Sequence, residues 1–508
     1  MIATTLRRFR RWVQLAAFLL FLYLLLWAGR LPFLRADLFF LADPLTGLAN
    51  TLAARHIVAP ILIGGVLAFA FALVLGRAWC GWLCPMGTIL DWTPSRHTKR
   101  YDPDPAHWLR ALKYFLLILL LAAAVFGALA FLILDPITLV YRALTTAVWP
   151  ALLFIVFRVE SLLYQAPLLR GAVDAFETVF RGRVMPIQQP YYAGNVLMAL
   201  VFAAILALNA VRERFWCRYL CPLGALLGLV SKVALLRRTV GTACIECQRC
   251  ARACPTGTID PARHFESDPS ECIMCLECAP TCSRAGQTFA AHLGAAAWQS
   301  YDPSRRQFLA ATGAALATVG LFGAERASGR DDAHLIRPPG AAKPEFLSQC
   351  IRCGICLKVC PTSGLQPSLQ QAGWAGFWTP VLTPRLGHCD YGCNACGQAC
   401  PVGAIPPLPL EEKQITVIGH AYIDRSRCIP WVDNRNCLVC EEMCPTPEKA
   451  ILLDEVTARA ADGTETRVLR PYVVHERCIG CGICENRCPL NGEAAIRVYP
   501  PSELTAVG

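Results

Sequence analysis

Cysteine is the residue type that could do chemistry in this chain. There are 28 cysteines in 508 residues, and every one falls in a short motif. Six quartets account for 24 of them and two C-x-x-x-C pairs for the other four. Cys244, Cys247, Cys250 and Cys254, with Pro255 following, read C-x2-C-x2-C-x3-C-P; Cys272, Cys275, Cys278 and Cys282 repeat the spacing. Three thiolates at that spacing wrap a tight turn around one face of a cubane. The fourth points away and ligates the partner cluster. The expectation is one [4Fe-4S] cluster on Cys244, Cys247, Cys250 and Cys282, and a second on Cys272, Cys275, Cys278 and Cys254. Zinc is the competing use of such thiolates, but zinc sites draw on two separated pairs. A disulfide scaffold would not repeat this spacing so regularly.

Four further quartets follow. They are Cys350, Cys353, Cys356 and Cys360; Cys389, Cys393, Cys396 and Cys400; Cys428, Cys437, Cys440 and Cys444; and Cys478, Cys481, Cys484 and Cys488. The second opens with an x3 gap and the third with an x8 gap, which lets a loop enter without changing the ligand count. Four quartets imply four clusters in two ferredoxin-like pairs. First-with-second is one pairing; first-with-fourth and second-with-third is another. Six clusters with no substrate-pocket motif describe a wire, in which the protein spaces and tunes the clusters. No C-x-x-C-H motif is present to hold c-type haem, and no phosphate-binding G-x-x-x-x-G-K-[ST] loop to drive a motor.

The two pairs are Cys80 with Cys84, in W-C-G-W-L-C-P-M-G (79–87), and Cys217 with Cys221, in W-C-R-Y-L-C-P-L-G (216–224). On one helix, x3 spacing places both thiols on a single face. The repeat then brings four thiols together, to hold a metal or cluster, to undergo thiol–disulfide change, or to bind copper. The plainer alternative is that each Cys-Pro ends a helix and packs as a small apolar residue. His56, at the mouth of an apolar run, is a candidate to take a quinol proton, although a lone histidine there is commonly only interfacial.

The elements that must position these residues are mostly apolar. Hydrophobic residues make up 55% of the chain and mean hydropathy is +0.40. Apolar runs near 12–28, 57–76, 109–134 and 194–210 are expected to span a membrane. The net charge of +11 sits largely beside those runs, where it orients them. No basic stripe with interleaved aromatics argues for nucleic acid. Arg7, Arg8, Arg10 and Arg11 place the N-terminus in the cytoplasm. The second-to-third connection and the segment after the fourth span join it there, and residues 135–193 face outward. Within them, 148–164 reads as an interfacial helix because Arg158 and Glu160 interrupt it, with a fifth span as the weaker option. Ser304-Arg305-Arg306-Gln307-Phe308-Leu309 and the apolar stretch to Gly323 have the form of an internal twin-arginine signal. The expected organisation is a membrane helical bundle (1–238), a two-cluster ferredoxin module of α+β type (239–295), a twin-arginine anchor as fifth span (304–323) and a four-cluster ferredoxin-like domain (340–500). The two-cluster module is then cytoplasmic and the four-cluster domain periplasmic.

Taken together, the two C-x-x-x-C-P motifs and the two-cluster module resemble the NapH-type membrane subunit of periplasmic nitrate reductase systems and the MauN-type membrane ferredoxin of methylamine utilisation. The half from Ser304 onward resembles their exported four-cluster partner, NapG- or MauM-type, as though two proteins were fused. The resemblance implies a quinol dehydrogenase of the bacterial inner membrane. It would oxidise menaquinol or ubiquinol and deliver electrons to a periplasmic cytochrome c or reductase. Related membrane ferredoxins with C-x-x-x-C-P reduce copper during oxidase assembly, which is the alternative. Departures from the pattern are Ser283 in place of proline, the x8 gap before Cys437 and the extra loop 135–193.

Overall fold

A computed structural model describes residues 2–27, 36–93, 109–282 except 183 and 187, 286–292, 305–327, 335–459 except 344, and 465–501. Arg96, Lys99, Arg100, Ser283 and Ser304, and positions 331–334 and 344 of the linker, lie outside the described residues. In chain order the principal helices are α1 (Ile2–Leu26), α2 (Pro44–Ala54), α3 (Ala59–Leu75), α4 (Ala78–Trp82) and α5 (Pro85–Trp92). They continue with α6 (Arg110–Val125), α7 (Pro136–Tyr164), α8 (Arg170–Phe180), α9 (Asn195–Val211), α10 (Pro222–Ser231) and α11 (Arg305–Ala327). The chain falls into two compact units. One comprises Met1–Trp27, Pro32–Leu144 and Val196–Leu321; the other comprises Ala28–Leu31, Thr145–Asn195 and Phe322–Gly508.

Two helices among the described residues are long and apolar enough to cross a membrane, Thr4–Leu26 and Pro136–Tyr164. Of the four spans expected from the sequence, only the first meets that test. The third stops at Val125 instead of running to Leu134. Gly127 turns left-handed there (φ +81°), and a separate 3-10 turn, Ala130–Leu134, follows. At 17 residues each, α3 and α9 reach about 25 Å, short of a hydrocarbon core of roughly 30 Å. Both are apolar on nearly every face: Ile63, Val66 and Leu67 on α3, and Val196 and Leu200 on α9, are exposed. The stretch expected to lie in the interface, 148–164, is instead the second half of α7, continuous with Pro136. Its charges are accommodated locally. Glu160 is buried against Arg181, the residue that caps the end of α8, at 2.9 Å, and the Arg158 guanidinium lies over the Phe154 ring. The apolar part of α11 is a short helix, Phe308–Thr318.

In the first unit the internal repeat extends further back than the C-x-x-x-C motifs. Asp43-Pro44-Leu45-Thr46 opens α2 and Asp135-Pro136-Ile137-Thr138 opens α7. Asp43 accepts from Leu45 N at 2.9 Å and Asp135 from Thr138 N at 2.8 Å, so each caps its helix with proline pre-set at the first position. Thr46 donates to Phe40 O and Thr138 to Leu132 O, the same six-residue reach in both copies. The two carboxyls are fully buried and close to each other, and burial, then the charge of Asp135, raises the Asp43 carboxyl well above the ordinary carboxylate range. After α10 come two antiparallel ribbons, β1 (Leu236–Val240) with β4 (Gln287–Ala291), and β2 (Ile259–Asp260) with β3 (Glu266–Ser267). Their small core includes Ala251, Ile259, Phe265 and Cys278.

The second unit contains three antiparallel ribbons. They pair β5 (Leu365–Pro367) with β6 (Pro380–Leu382), β7 (His420–Ile423) with β10 (Ile496–Tyr499), and β8 (Ile451–Arg459) with β9 (Glu465–Val473). Segment 145–195, expected to belong to the membrane domain, packs here. Tyr192 is buried with its hydroxyl on Leu357 O (3.1 Å). Gln366 holds Tyr191 O and Ala193 N, and Lys358 lies over the Trp149 ring. Residues 145–193 of the extra loop are thus part of the cysteine-rich body.

Candidate functional site: cysteine-lined cavities and an interfacial cleft

The regular quartets share one backbone device. The residue two after the first cysteine and the residue one after the second are left-handed in all four regular loops. They are Glu246 and Gln248, Met274 and Leu276, Arg352 and Gly354, and Gly480 and Gly482, with φ from 51° to 84°. A side chain in that region costs on the order of 1 kcal/mol, so five non-glycine cases need a reason. The turn aims backbone amides at sulfur: Met274 N–H at Cys272, Arg352 N–H at Cys350, Gly480 N–H at Cys478. Donors of this kind are what iron–sulfur sites use to set potential. In one loop the conformation is held by a buried arginine. Arg352 donates to Cys350 O (2.9 Å), Ala375 O (2.7 Å) and Phe377 O (3.0 Å).

The quartets cross over in space. One cavity is walled by Cys244, Cys247, Cys250 and Cys282. Cys272, Cys275 and Cys278 face Cys254, the other half of that exchange. In the second unit, one cavity takes Cys350, Cys353, Cys356 and Cys400, and a second takes Cys389, Cys393, Cys396 and Cys360. A third takes Cys428, Cys437, Cys440 and Cys488, while Cys478, Cys481 and Cys484 gather with Cys444. Of the pairings left open by spacing, first-with-second is therefore the arrangement in space, and third pairs with fourth. The two pairs abut: Cys389 N donates to Cys481 O at 2.8 Å. The four sites consequently form a row that runs first, second, fourth, third in quartet order.

These cavities fit an iron–sulfur cubane better than a bare ion. Among the described residues no three His, Cys, Asp or Glu side chains converge tightly enough to hold one metal ion. The remaining walls are apolar, such as Ile423, Ile429 and Ile496 around Cys488. Burial, and then the neighbouring cysteines, push the Cys396, Cys440 and Cys481 thiols up to about 12. Four thiolates in such a pocket need a cationic core, and a cluster supplies one.

The C-x-x-x-C pairs do not lie on single helix faces. Cys80 sits in α4 and Cys217 in a π-type turn, Trp216–Leu220. Cys84 and Cys221 are extended residues at the N-caps of α5 and α10. Pro85 and Pro222 enforce the break, because the residue before proline is driven out of the helical region. All four thiols are buried and lie close enough to feel one another's charge. Cys221 sulfur accepts from Gly224 N at 3.2 Å. Arginines brace the two copies reciprocally: Arg77 donates to Cys217 O (3.4 Å) and Arg214 to Cys80 O (3.0 Å). Each guanidinium also meets an acid, Arg77 at Glu271 and Arg214 at Asp91.

This four-thiol centre sits against one particular quartet. Gly81 packs so closely that a Cβ would fall 2.3 Å from Ile273 O. Trp82 Nε1 donates to Met274 O at 2.9 Å, and Arg77 to Ser270 O at 2.9 Å. In the second copy Arg218, at the position of Gly81, donates to Pro255 O at 2.7 Å. Both copies therefore touch the loops that carry Cys272, Cys275, Cys278 and Cys254. Lys113 of α6 pairs with Glu271 in the same contact.

Beside it lies a cleft of about 840 Å³, which sequence reasoning missed. The N-terminal part of α1 (Arg7 to Leu15), the end of α5 (Leu90 to Thr93), the end of α9 (Asn209) and Cys275 line it. Asp91 projects from α5 and receives both Arg214 (2.7 Å) and Gln14 (2.9 Å). Burial works to raise the Asp91 carboxyl, but the charge and hydrogen bonds of Arg214, with Gln14 and Arg10, hold it below the ordinary carboxylate range. Its sequence signal was an acid seven residues after Cys84. His56 is placed elsewhere, exposed in the turn between α2 and α3, and it does not line the cleft.

A family described as a 4Fe-4S binding domain matches residues 57–100 and 195–242, segments whose only cysteines are Cys80, Cys84, Cys217 and Cys221. A 4Fe-4S dicluster domain matches 348–405, and another 4Fe-4S binding domain matches 471–491. The methylamine utilization ferredoxin-type protein MauM of Methylorubrum extorquens is 33% identical over 212 residues, covering 39% of this chain and 90% of that protein. The ferredoxin-type protein NapG of Escherichia coli is 34% identical over 206 residues, covering 39% of this chain and 86% of its own length. The ferredoxin-type protein NapH of Haemophilus influenzae is 28% identical over 255 residues, 48% of this chain and 72% of that protein. No solved structure matches.

Proposed function

We propose that this chain, which belongs to the ferredoxin-type family of MauM and NapG, is a quinol dehydrogenase of the bacterial inner membrane. Its likeness to NapH adds the membrane-type half, so the chain reads as both partners in one polypeptide. The observation that carries the reading is the set of six crossed cysteine quartets, four of them in one continuous row. We assign one [4Fe-4S] cluster to each crossed set of four thiolates named above. When bound, each cluster accepts and releases one electron. The chain's own residues do the rest. Left-handed loop residues turn amides onto sulfur, Arg352 locks one loop, and Gly81, Trp82 and Arg218 seat the two-cluster module on the C-x-x-x-C motifs. The four thiols of those motifs suit a further thiolate-bound cofactor, in keeping with the family description that covers them.

Menaquinol or ubiquinol is the proposed donor and a periplasmic cytochrome or reductase the proposed acceptor. The exposed apolar faces of α3 and α9 support placement in lipid. Sidedness follows from the charge pattern. Segments assigned to the cytoplasm by their arginines fall in the unit that holds the two-cluster module. Of segment 135–193, assigned outward, residues 145–193 fall in the unit that holds the four-cluster row and 135–144 in the other. Arg305 and Arg306 then mark the crossing. Anaerobically purified full-length protein in lipid nanodiscs tests the reading. Added quinol reduces the clusters, seen as bleaching of their visible absorbance and growth of EPR signals. Clusters that dithionite reduces and quinol leaves oxidised contradict it.

A further inference from the structure

Quinol has no assigned place in the chain. We propose that the cleft between α1, α5 and the Cys275 loop binds the quinol head group and is where it is oxidised; this rests on the quinol-dehydrogenase reading above. The cleft's 840 Å³ is the size of an ordinary small-molecule site. Its level in the membrane is set by α1, whose basic segment from Arg7 to Arg11 gives way to Trp12 and Leu15 within the cleft wall. That switch from arginine to tryptophan and leucine marks the membrane–water interface. Trp12 and Trp92, both at the cleft, are 70% and 56% exposed, in keeping with a mouth that faces the lipid head groups.

Inside, the groups match the chemistry. Cys275, a proposed cluster ligand, forms part of the wall, so an electron leaving the cleft enters the two-cluster module directly. Asp91 presents an ionised carboxylate fixed from two sides by Arg214 and Gln14. Arg10 is buried in the same wall, donating to Gly81 O at 3.1 Å and facing both Asp91 and Glu277 of the cleft at 3.5 Å, so the wall is a paired set of charges around the carboxylate. A bridge serving only to tie Asp91 to Arg214 would need no cleft around it. The step balances as follows. Quinol loses two O–H protons and two electrons and becomes quinone. One proton goes to the Asp91 carboxylate and then to water at the open mouth, and the second follows once the carboxylate is free. The two electrons would be taken up singly by oxidised clusters, one that Cys272, Cys275, Cys278 and Cys254 would hold and one that Cys244, Cys247, Cys250 and Cys282 would hold.

Full-length protein in nanodiscs provides the test. Asp91→Asn lowers the rate of quinol-driven cluster reduction by roughly a hundredfold, the ordinary worth of a positioned base. Leu15→Trp, which fills the apolar wall, slows reduction comparably and abolishes labelling of the α1 and α5 peptides by an azido-quinone. In both variants dithionite still reduces every cluster, which shows that they are folded and loaded. Rates within about twofold of the parent in both variants, with the parent active, place the quinol elsewhere and overturn the proposal alone. Labelling of the cleft by a photoreactive phospholipid but not by azido-quinone makes it a lipid head-group site and also overturns it. A parent protein that quinol cannot reduce refutes the quinol-dehydrogenase reading itself.

Discussion

Arg352 and Cys360 show how far individual residues can be pressed. Arg352 holds three backbone carbonyls of a strained loop, so Arg352→Ala leaves them unpaired and the left-handed turn unsupported. The expected cost is about 2 kcal/mol, read as a lower denaturation midpoint of the cluster absorbance. Cys360 lies in the first quartet by sequence but walls the cavity of the second. Cys360→Ser should perturb the EPR signature of the Cys389, Cys393 and Cys396 site and spare the Cys350 site; the reverse pattern contradicts the crossing. Asp91 gives a pH dependence of known sign. Its folded value lies below the ordinary 3.8, so its contribution is complete above that value and is lost as pH falls through the depressed one. Stability against urea is expected to be flat in this respect from neutral pH down to about pH 4 and to fall below it, and Asp91→Asn removes that acid-side slope.

At the scale of elements, the cysteine loops were legible because a cluster dictates both residue type and spacing. Which quartets cross was not, since a loop of any length can return to either neighbour. The C-x-x-x-C pairs mislead when helical periodicity is applied across a proline: Pro85 and Pro222 place Cys84 and Cys221 on the next helix. Segment 148–164 misled for another reason. Glu160 argues against a long apolar helix until its partner Arg181, 21 residues on, is known. The D-P-x-T repeat could have been read and was passed over, because two aspartates 92 positions apart carry no signal until their carboxyls meet. Asp135→Ala removes one cap and leaves Asp43 without its partner. It should lower the unfolding midpoint by more than the roughly 1 kcal/mol of an ordinary cap, and Asp135→Asn should recover most of the loss. Gly81→Ala places a methyl 2.3 Å from Ile273 O and is expected to loosen the module from the C-x-x-x-C motifs, seen as faster alkylation of Cys80 and Cys217.

For the whole molecule, the proposal open to test is that the two sets of clusters face opposite sides of a membrane. A C-terminal alkaline phosphatase fusion should be active, and an active cytoplasmic-type reporter at the same point would put both sets on one side. Composition predicts a membrane protein, and two described helices are long and apolar enough to cross one, fewer than the spans expected. Three of the expected runs are individually too short or too charged to pass as spans, and only their packing explains them. Beneath topology and donor alike stands the claim that crossed thiolate quartets hold iron–sulfur cubanes. Iron and acid-labile sulfide, measured on anaerobically purified full-length protein, test it most directly. The account predicts about four of each for every quartet; stoichiometric zinc, or free and disulfide-bonded cysteines without sulfide, would contradict it.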